Sequence, residues 1–471
     1  MLLQVTVENF LSFKGATTFS MLGVNSDSNH SSHLTITMEA GAGKSILPVA
    51  AIYGANAAGK SNLIKAIGFA KNLIVVGTRT GQVIPVSTFK LADYSKKPSR
   101  FQFIFIHKNV RYSYGFTLTS GQILEEWLYA IPENKKREVL YFERNTSDKK
   151  ETKVEYGATL KGKRGKNKQF LDFIAQGTRP NQLFLTEAVE RNVKELIPIV
   201  NWFKRVLTIL SAESHASGLE MEILNSREFT EFLGNFLKFA GTGIDSIGVD
   251  EVNLNIDSLF PTIPDVLREK IIEMLAEVDI NSTMMIETNI WGQSYILTKG
   301  EQGQTSLMQL KTKRRHEQGQ LIDFSIEEES DGTQGLINLI PALFMLKESS
   351  EKVILLDELD RRLHPLLSRQ FLNFFLKCKT EKSRSQLIFT THDTNLLDLN
   401  LLRRDEIWFV EKDRQGASQL YSLAEFKIRP DLPIEKGYLN GRFGAIPFFG
   451  DIHSLGWTDC QEEYPIDNVN V

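Results

Sequence analysis

Residues 54–61 contain every position of the phosphate-binding pattern G-x-x-x-x-G-K-[ST]. Gly54 and Gly59 would let the backbone turn tightly and direct its N–H groups at a β-phosphate, where a side chain would obstruct the turn. Lys60 would lie along the β- and γ-phosphates, and Ser61 would ligate Mg²⁺. These residues therefore predict a site for a nucleoside triphosphate, with ATP and Mg²⁺ as the expected cofactors.

The segments on either side of this loop are those that its chemistry requires. The apolar run at 49–52 predicts a buried strand, and apolar residues at helical spacing over 62–72 predict a helix. A helix that begins at the loop presents the positive end of its dipole to the bound anion. Asn56 within the loop and Asn62 directly after it are included among the predicted nucleotide contacts.

Two carboxylates follow another apolar run, at residues 353–356. This pattern predicts a buried strand that ends in Asp357 and Glu358. Asp357 would hold Mg²⁺ through water, opposite Ser61, and Glu358 would polarise the attacking water. In a chain that also has a complete phosphate loop, the pair predicts a site of phosphate hydrolysis.

His392 lies at the end of a further apolar strand, residues 386–389. An imidazole at this place would reach a γ-phosphate and report its presence; the alternative is a hydrogen-bonded histidine of the core. We favour the sensor, because its strand follows the carboxylate strand by one helix.

A turn that contains Ser330, Gly332 and Thr333 precedes a helical run at 336–346. Hydroxyl groups, flexible backbone and a helix N-terminus together make half of an anion site, although the same residues also suit a simple N-cap. The order of phosphate loop, Ser-Gly turn, Asp-Glu strand and His strand is that of an ABC-type ATPase head. The predicted fold class is therefore α/β.

The remaining patterns suggest four regions: 1–180, 181–320, 321–412 and 413–471. In the first, a hairpin at 2–20 is expected beside the nucleotide strand, and alternating residues predict an antiparallel meander at 101–129 with a further pair at 138–143 and 153–156. The second reads as an inserted, mainly helical arm or lid, with helices over 181–240 and 264–278 and strands near 244–256 and 283–297. The third is the other half of the head, and the last packs on the head or on a partner.

Composition is that of a globular protein, with 471 residues, 42% hydrophobic, 24% charged and a net charge of −3. No stretch approaches the roughly 20 apolar residues of a membrane span, and the N-terminus begins with a strand pattern, so we expect a cytoplasmic protein without a membrane partner. Cys378 and Cys460 are expected to be reduced packing residues. The charge gives no global attraction to nucleic acid, so any DNA contact would need a local patch.

Two basic runs, at 161–168 and 311–316, are the candidates for such a patch. A cationic loop that contains glycine can contact phosphates without a fixed geometry. The alternative, which is common for such runs, is a solvated loop.

The whole set of motifs resembles the AAA15 group of prokaryotic ATPases, ABC-type heads related to chromosome-maintenance and DNA-repair ATPases; the group includes RloA and the ATPase of AbiL-type abortive-infection systems. The residues that carry the resemblance are 8–13, 54–61, 330–333, 356–358 with 363–365, 391–393, 403–409 and 436–447.

The resemblance implies that two heads sandwich two ATP molecules in a homodimer or larger homo-oligomer. Ser330, Gly332 and Thr333 would then act on the partner's nucleotide, and Asp360 would cross the interface. The usual Leu-Ser-Gly-Gly-Gln signature is replaced here by 329–333. Gln82 is the one nearby candidate for the glutamine that ligates Mg²⁺ in relatives.

For function, the resemblance implies a sensor or regulator in anti-phage defence that controls a separate toxic effector, frequently a TOPRIM-like nuclease. The alternative is a DNA-repair machine that clamps DNA through the two basic runs. A third reading, a module that binds nucleotide without turnover, is disfavoured because Glu358 is retained. The 437–447 stretch is either a structural turn or a segment that places Arg442 near phosphate.

Overall fold

The computed structural model describes residues 1–24, 27, 29–37, 44–133, 137–147, 152–162, 165–211, 219–252, 283–288, 293–299, 305–348, 351–361, 363–379, 383–428 and 433–447. The chain forms two compact units. The first comprises Met1–Ser211, Ser349–Asp360 and Leu372–Val471, and the second comprises Ala212–Glu348 and Arg361–Phe371.

The strands are β1 (Leu2–Glu8), β2 (Thr17–Ser20), β3 (Thr35–Ile36), β4 (Ser45–Ile46), β5 (Val49–Tyr53), β6 (Ser99–His107), β7 (Val110–Leu118), β8 (Ile123–Ile131), β9 (Val139–Thr146), β10 (Thr152–Tyr156), β11 (Leu207–Ser211), β12 (Ile244–Val252), β13 (Thr283–Thr288), β14 (Gln293–Lys299), β15 (Thr305–Arg315), β16 (Leu321–Ser325), β17 (Val353–Asp357), β18 (Gln386–Thr390), β19 (Ile407–Lys412) and β20 (Ser418–Ser422). The helices are α1 (Lys60–Val75), α2 (Ala158–Lys161), α3 (Lys168–Gly177), α4 (Phe184–Glu190), α5 (Ile197–Asn201), α6 (Leu219–Asn225), α7 (Arg227–Phe239), α8 (Asp331–Glu348), α9 (Pro365–Cys378) and α10 (Ile434–Leu439).

The first unit contains an antiparallel sheet in the order β10-β9-β8-β7-β6-β1-β2. Its strands form because apolar and polar residues alternate, as in β6, where Phe101, Phe103 and Phe105 are buried and the residues between them are more exposed. The predicted meander and the predicted pair after it are thus confirmed. The hairpin of β1 and β2, which was expected beside the nucleotide strand β5, belongs to this sheet, where β1 pairs with β6.

A second sheet of the first unit, in the order β11-β17-β18-β5-β19-β20, carries the phosphate loop. Its strands are parallel from β11 to β19, and β20 pairs antiparallel with β19. All residues of β5 are buried, as expected of a central parallel strand covered on both faces. The carboxyl ends of β5, β17 and β18 therefore meet at one edge.

Helix α1 shares one hydrophobic core with both sheets. The core contains Val5 and Phe103 from the antiparallel sheet, Leu63 and Ile67 from α1, and Ile52 from the parallel sheet. Contacts on several sides fix α1, and with it the loop from which it starts. The predicted α/β class is confirmed by this architecture.

The segment predicted to be helical over 181–240 contains a strand. After α5, a π-helical turn (Trp202–Val206) ends the helical stretch, and β11 then pairs in parallel with β17. Leu207, which lies within the stretch predicted to be helical, is the first residue of this strand. The short apolar run 207–210 suits a buried strand as well as a helix, and pairing with β17 decides between them. The first compact unit accordingly extends to Ser211, beyond the expected boundary at 180.

The second unit contains a sheet in the order β12-β15-β14-β13, with β16 paired to β15. The long alternating strand β15 pairs with three neighbours. The expectation of a mainly helical insertion stays a prediction, because residues 253–282 lie outside the described residues. Helices α7 and α8 pack together through Phe229 and Phe344, whose ring centroids are 5.0 Å apart. The helix predicted at 264–278 lies outside the described residues.

The C-terminal segment packs on β19. Tyr438 of α10 and Phe443 both stack on Phe409, at 5.4 and 6.0 Å between ring centroids. Gly441 and Gly444 adopt positive φ angles of 74° and 68°, as a tight turn requires. This packing supports the reading of 437–447 as a structural turn. The side chain of Cys378 and all of Cys460 lie outside the described residues.

In the part of the chain that the structure describes, none of the helices combines the length and the apolar character of a membrane span.

Candidate nucleotide site

The phosphate loop runs from the end of β5 to the start of α1. Gly54 and Gly59 have φ angles of 156° and 123°, in the range that side chains disfavour. A Cβ at Gly54 would collide with the carbonyl oxygen of Val410, and a Cβ at Gly59 would collide with the hydroxyl of Ser418. Both glycines are therefore fixed by backbone conformation and by contact, as the sequence pattern predicts.

The side chain of Lys60 lies across the loop that precedes it. Its ammonium donates hydrogen bonds to the carbonyl oxygens of Gly54 (2.8 Å) and Ala55 (3.2 Å), and a third to Nε2 of His392 (2.9 Å). Because an ammonium group has no acceptor, His392 must accept at Nε2 and carry its proton on Nδ1. Burial, reinforced by the nearby charge of Lys60, lowers the pKa of His392, which also favours this neutral form.

Burial lowers the pKa of Lys60 to about 8, against the opposing effect of Glu358, Asp360 and Asp357. Its side chain is only 5% exposed. A lysine with this pKa is mainly charged at neutral pH and mainly neutral at pH 9. The loop thus has a cation at its centre whose charge titrates near the physiological range.

We expect ATP affinity to fall with rising pH above neutrality. Between pH 7 and 9 the charged fraction of a lysine with a pKa near 8 falls roughly tenfold, so the dissociation constant should rise by up to about tenfold. Bound phosphate would itself raise the pKa and reduce the effect. Titration of a fluorescent ATP analogue at pH 7, 8 and 9 measures it, and Lys60→Arg, which keeps its charge, is the control. An equal slope in Lys60→Arg would assign the titration to another group.

Ser61 and Asp357 are brought together as the sequence predicts. The Ser61 hydroxyl donates to Oδ1 of Asp357 at 3.1 Å, although the residues are 296 positions apart in sequence. The Ser61 hydroxyl and the Asp357 carboxylate supply hard oxygen donors, the class that Mg²⁺ prefers. The residues present therefore fit a site in which Ser61 would contact the ion and Asp357 would hold it through water.

Thr390 holds the strand end that carries these carboxylates. Its buried hydroxyl donates to Oδ1 of Asp357 at 2.6 Å and accepts from the backbone N–H of Glu358 at 2.7 Å. One side chain thus fixes both the Asp357 carboxylate and the backbone of the following residue.

Replacement of Thr390 by valine should disturb both functions of its hydroxyl. Loss of these bonds leaves buried polar groups unpaired, and we expect the free energy of unfolding to fall by about 1–3 kcal/mol. We also expect a higher half-saturating Mg²⁺ concentration in phosphate release. Thr391→Val is the matched control, because Thr391 is equally buried but its hydroxyl accepts from Asp393 instead. An equal Mg²⁺ shift in both variants would contradict the role given to Thr390.

Glu358 has a backbone conformation that is unusual for its residue type. Its φ angle is +56°, in the left-handed region that costs a non-glycine residue roughly 1 kcal/mol or more. The bond from its N–H to Thr390 holds the chain in this conformation directly after β17. The effect is to turn the chain sharply at the position where the catalytic carboxylate is predicted.

Asp360 and His392 are joined through the backbone. The N–H of His392 donates to Oδ2 of Asp360 at 3.0 Å. The other carboxylate oxygen of Asp360, Oδ1, is buried and has no hydrogen-bond partner within the described residues. Asp360 thus helps to place the histidine and keeps one acceptor for a further donor.

Three other predicted contacts have different surroundings. Asn56 is exposed at the tip of the loop. The Asn62 side chain donates to the hydroxyl of Ser12 at 2.8 Å, so that its amide is used in packing the loop. The Gln82 side chain accepts from the N–H of Arg79 and is exposed, so it caps its own turn.

The Ser330 turn lies in the second unit. Ser330 accepts from the N–H of Thr333 at 3.3 Å, and the two hydroxyls are 3.0 Å apart, which is an N-cap of α8. Gly332 lies in the first turn of that helix. Behind the turn, buried Glu329 accepts from Arg314 at 2.5 Å and from Thr312 at 2.6 Å. Within the second unit, therefore, these residues cap a helix whose start is held by an ion pair.

The basic runs differ in how far their charges are neutralised. In the 311–316 run, Lys313, Arg314 and Arg315 all pair with carboxylates. In the 161–168 run, Lys168 pairs with Asp172, whereas Lys161 and Lys166 have no ion pair within the described residues. Lys163 and Arg164 lie outside the described residues. The 161–168 run is thus the better candidate for contact with an anionic partner.

Two residues of the site were not predicted from sequence. Ser12 and Ser418 contact the loop at Gly59, from the turn after β1 and from the start of β20. Ser12 lies in the 8–13 motif, which was noted without a role. Nothing in the local sequence around Ser418 indicates a contact with residues so distant in the chain.

The fold and the site together define a P-loop ATPase head of the α/β class. A phosphate loop follows a central parallel strand, and the carboxylate strand and the histidine strand end beside it. A model of the AAA_21 family, described as "AAA domain, putative AbiEii toxin, Type IV TA system", matches residues 49–398. The match covers well over half of the chain, which therefore belongs to this family.

Several solved structures are similar to the chain at low identity. One is the SMC head domain from Thermotoga maritima, with 12% identity, a TM-score of 0.34 and coverage of 91% of this chain and 99% of that chain. Another is an SMC head bound to the C-terminal winged-helix domain of ScpA, with 13% identity, a TM-score of 0.37 and coverage of 93% and 99%. A third is an SMC head with an extended coiled coil, bound to the C-terminal domain of ScpA and derived from Pyrococcus furiosus, with 11% identity, a TM-score of 0.35 and coverage of 93% and 98%. No curated protein matched the sequence.

Proposed function

We propose that this protein binds ATP with Mg²⁺ and hydrolyses it to ADP and phosphate. The observation that carries the proposal is the convergence of Lys60, Ser61 and His392 from the loop and the neighbouring strand with Asp357 at the end of β17. Lys60 would bind the phosphates, and Ser61 and Asp357 would hold Mg²⁺, which when bound neutralises charge on the transferred phosphate. Glu358 would orient the attacking water and accept its proton.

We propose further that two heads pair across their nucleotides. The order of phosphate loop, Ser-Gly turn, Asp-Glu strand and His strand supports this pairing, because it resembles that of ABC-type heads, which sandwich two ATP molecules. Ser330, Gly332 and Thr333 would then contact the partner's nucleotide. The N-cap bonds that Ser330 and Thr333 make within one chain would be shared with, or exchanged for, bonds to phosphate.

The proposed biological role is that of a sensor or regulator in anti-phage defence, as in the AAA15 group, with a separate effector such as a TOPRIM-like nuclease. The link to toxin–antitoxin systems in the description of the AAA_21 family supports this setting. That description also raises the possibility of a toxin, which expression can distinguish. Under the proposal, expression of this chain alone in a bacterial host does not arrest growth, and the pure protein has no nuclease activity. Growth arrest that disappears in Lys60→Ala would show that the chain itself is the toxin.

A nucleic-acid contact is a second candidate function, favoured by one observation. Next to the first basic run, α3 exposes Phe170 and Phe173, which are 49% and 71% accessible and lie three residues apart on one face. Cations beside exposed aromatic rings suit single strands, whose bases stack on aromatic side chains while lysines neutralise phosphates.

Fluorescence anisotropy with single-stranded and duplex oligonucleotides tests this candidate. Salt-dependent binding of the single strand should weaken in a variant that combines Phe170→Ala and Phe173→Ala, and when Lys161, Lys163, Arg164 and Lys166 are neutralised. Phe239→Ala, which removes a comparably exposed ring in the second unit, is the control. Equal affinity in all variants would exclude the α3 surface.

A further inference from the structure

Two segments from distant parts of the chain contact the phosphate loop and hydrogen-bond to each other. One is the turn between β1 and β2, in which Phe10 and Phe13 exchange backbone hydrogen bonds around Ser12. The other is the hairpin of β19 and β20, which brings Ser418 to the same place. The N–H of Ser418 donates to the carbonyl oxygen of Ser12 at 2.8 Å, and Lys14 donates to the side chain of Gln415 at 2.6 Å.

The hydroxyl groups of these segments form a chain that ends on the loop. Oγ of Ser418 lies 2.5 Å from the carbonyl oxygen of Ala58 and 2.7 Å from Oγ of Ser12, and Oγ of Ser12 accepts from the amide of Asn62 at 2.8 Å. Since a carbonyl oxygen only accepts, Ser418 donates its single proton to Ala58. The bond between the two serines must then use the proton of Ser12, and every hydroxyl in the chain has one donor and one acceptor role filled.

The hydrogen bonds between these hydroxyl groups determine how the peptide between Ala58 and Gly59 is oriented. In a trans peptide the C=O and N–H groups point in opposite directions, and the described residues contain no cis bond. With the carbonyl oxygen held by Ser418 on the outer side of the loop, the N–H of Gly59 is directed to the inner side. That is the side on which backbone N–H groups of a phosphate loop bind the anion.

The same contact explains why position 59 requires glycine: the two serines leave no space for a side chain on the outer side of the loop. A Cβ there would lie 2.9 Å from Oγ of Ser12 and 3.0 Å from Cβ of Ser418, besides its collision with the Ser418 hydroxyl. The two serines therefore pack directly against the Cα atom of Gly59. Their short polar side chains fit this space and still reach the Ala58 carbonyl.

We propose that Ser418 and Ser12 are positioning residues for nucleotide binding, which hold the Gly59 N–H toward the β-phosphate through the Ala58 carbonyl. The inference rests on the proposed ATP site and adds to it a role for the β19–β20 hairpin. Neither serine contacts the nucleotide in this account. Both act through the peptide that does.

Ser418→Ala tests the proposal, with Ser422→Ala as the matched control. Ser422 lies on the same strand, is 7% exposed against 4% for Ser418, and uses its hydroxyl to cap the turn at Ala424, away from the loop. Loss of one such hydrogen bond corresponds to a change of roughly fivefold in an equilibrium constant. We therefore expect Ser418→Ala to raise the KM for ATP about fivefold with little change in kcat, while Ser422→Ala lowers the melting temperature alone.

Hydrogen–deuterium exchange without nucleotide gives a second readout that does not depend on ATP binding. Ser418→Ala should accelerate exchange in the peptide that covers 54–62, and Ser422→Ala should not. The effect of Ser12→Ala should be smaller in the Ser418→Ala background than in wild type, because the two hydroxyls belong to one chain. If the wild-type protein binds no nucleotide, the proposed ATP site is wrong. The exchange measurement still shows whether Ser418 and Ser12 hold the loop in place.

Unchanged exchange and unchanged KM in Ser418→Ala would overturn the proposal. So would equal effects of Ser418→Ala and Ser422→Ala, since these would reflect general destabilisation of β20. If Ser418→Ala does not fold, Ser12→Ala is the second test. It removes the hydrogen bond that the Ser418 hydroxyl accepts and leaves the bond to Ala58, so we expect a smaller acceleration of exchange over 54–62 in the same direction. No acceleration in Ser12→Ala would then overturn the proposal.

Discussion

Substitution of Lys60 by alanine is expected to abolish ATP binding at physiological nucleotide concentrations. The ammonium bonds two carbonyl oxygens of the loop and His392, so it lies where the loop's backbone converges. Hydrogen bonds of a charged donor to phosphate oxygens contribute about 1.5–3 kcal/mol each, so the loss of this side chain should weaken binding by about 100-fold or more. Titration with a fluorescent ATP analogue in the presence of Mg²⁺ measures the change.

The control for this experiment is Lys65→Ala, five residues further along α1. It removes an exposed lysine from the same helix and should leave ATP affinity within about twofold of wild type, as is usual for surface changes. Thermal unfolding of both variants without nucleotide shows whether the fold is intact. Wild-type affinity in a folded Lys60→Ala variant would refute the assignment of 54–61 as the nucleotide loop.

Substitution of Glu358 by glutamine is expected to stop turnover and to retain ATP. Glutamine keeps the size of the side chain and lacks the basic oxygen, and removal of a general base typically costs about 10²–10⁴-fold in rate. ATP affinity should change little, because Lys60, Ser61 and Asp357 are unaltered. Phosphate release should therefore be lost, while an ATP-dependent assembly accumulates that the wild type forms only transiently.

Mass measurement in solution, with and without ATP, tests the second part of this expectation. Glu358→Gln with ATP should have at least twice the mass of the same variant without it, and Lys60→Ala combined with Glu358→Gln should not change. Glu190→Gln, an exposed carboxylate at the end of α4, is the control for turnover. Normal hydrolysis by Glu358→Gln would refute the catalytic role of Glu358. If, in addition, the mass did not depend on ATP, the trans-acting role of the Ser330 turn and the paired arrangement would be refuted.

The residues that meet at the candidate site could be predicted because each lies in a short segment with a recognisable pattern. The spacing of 54–61 and the step from apolar strand to Asp357 and Glu358 each require only local sequence, and the structure brings Ser61 to Asp357 as expected. The parallel order of strands could not be read from local patterns, and β11 shows why. Its three apolar residues match a helix or a strand equally well, and only the pairing with β17 decides.

Residues that act through contacts between distant segments were also beyond prediction. Ser418 lies in a polar stretch that resembles any surface turn, yet its hydroxyl meets Ser12, which is 406 residues away in sequence. Similarly, the basic run at 311–316 gives no sign in sequence of the acidic partners that neutralise three of its cations, since Asp245 and Asp250 come from another strand. Such pairings are properties of the folded chain.

The position of β5 between β18 and β19 has a consequence for the synthesis of the protein. Both strands that pair with β5 lie beyond residue 385, so the strand before the phosphate loop has neither neighbour until some 330 further residues have left the ribosome. At roughly 5–20 residues per second, this interval is about 15–65 seconds. During that time a fully apolar strand has two unpaired edges, so the nascent chain should depend on chaperones that shield such segments until the last fifth of the protein emerges.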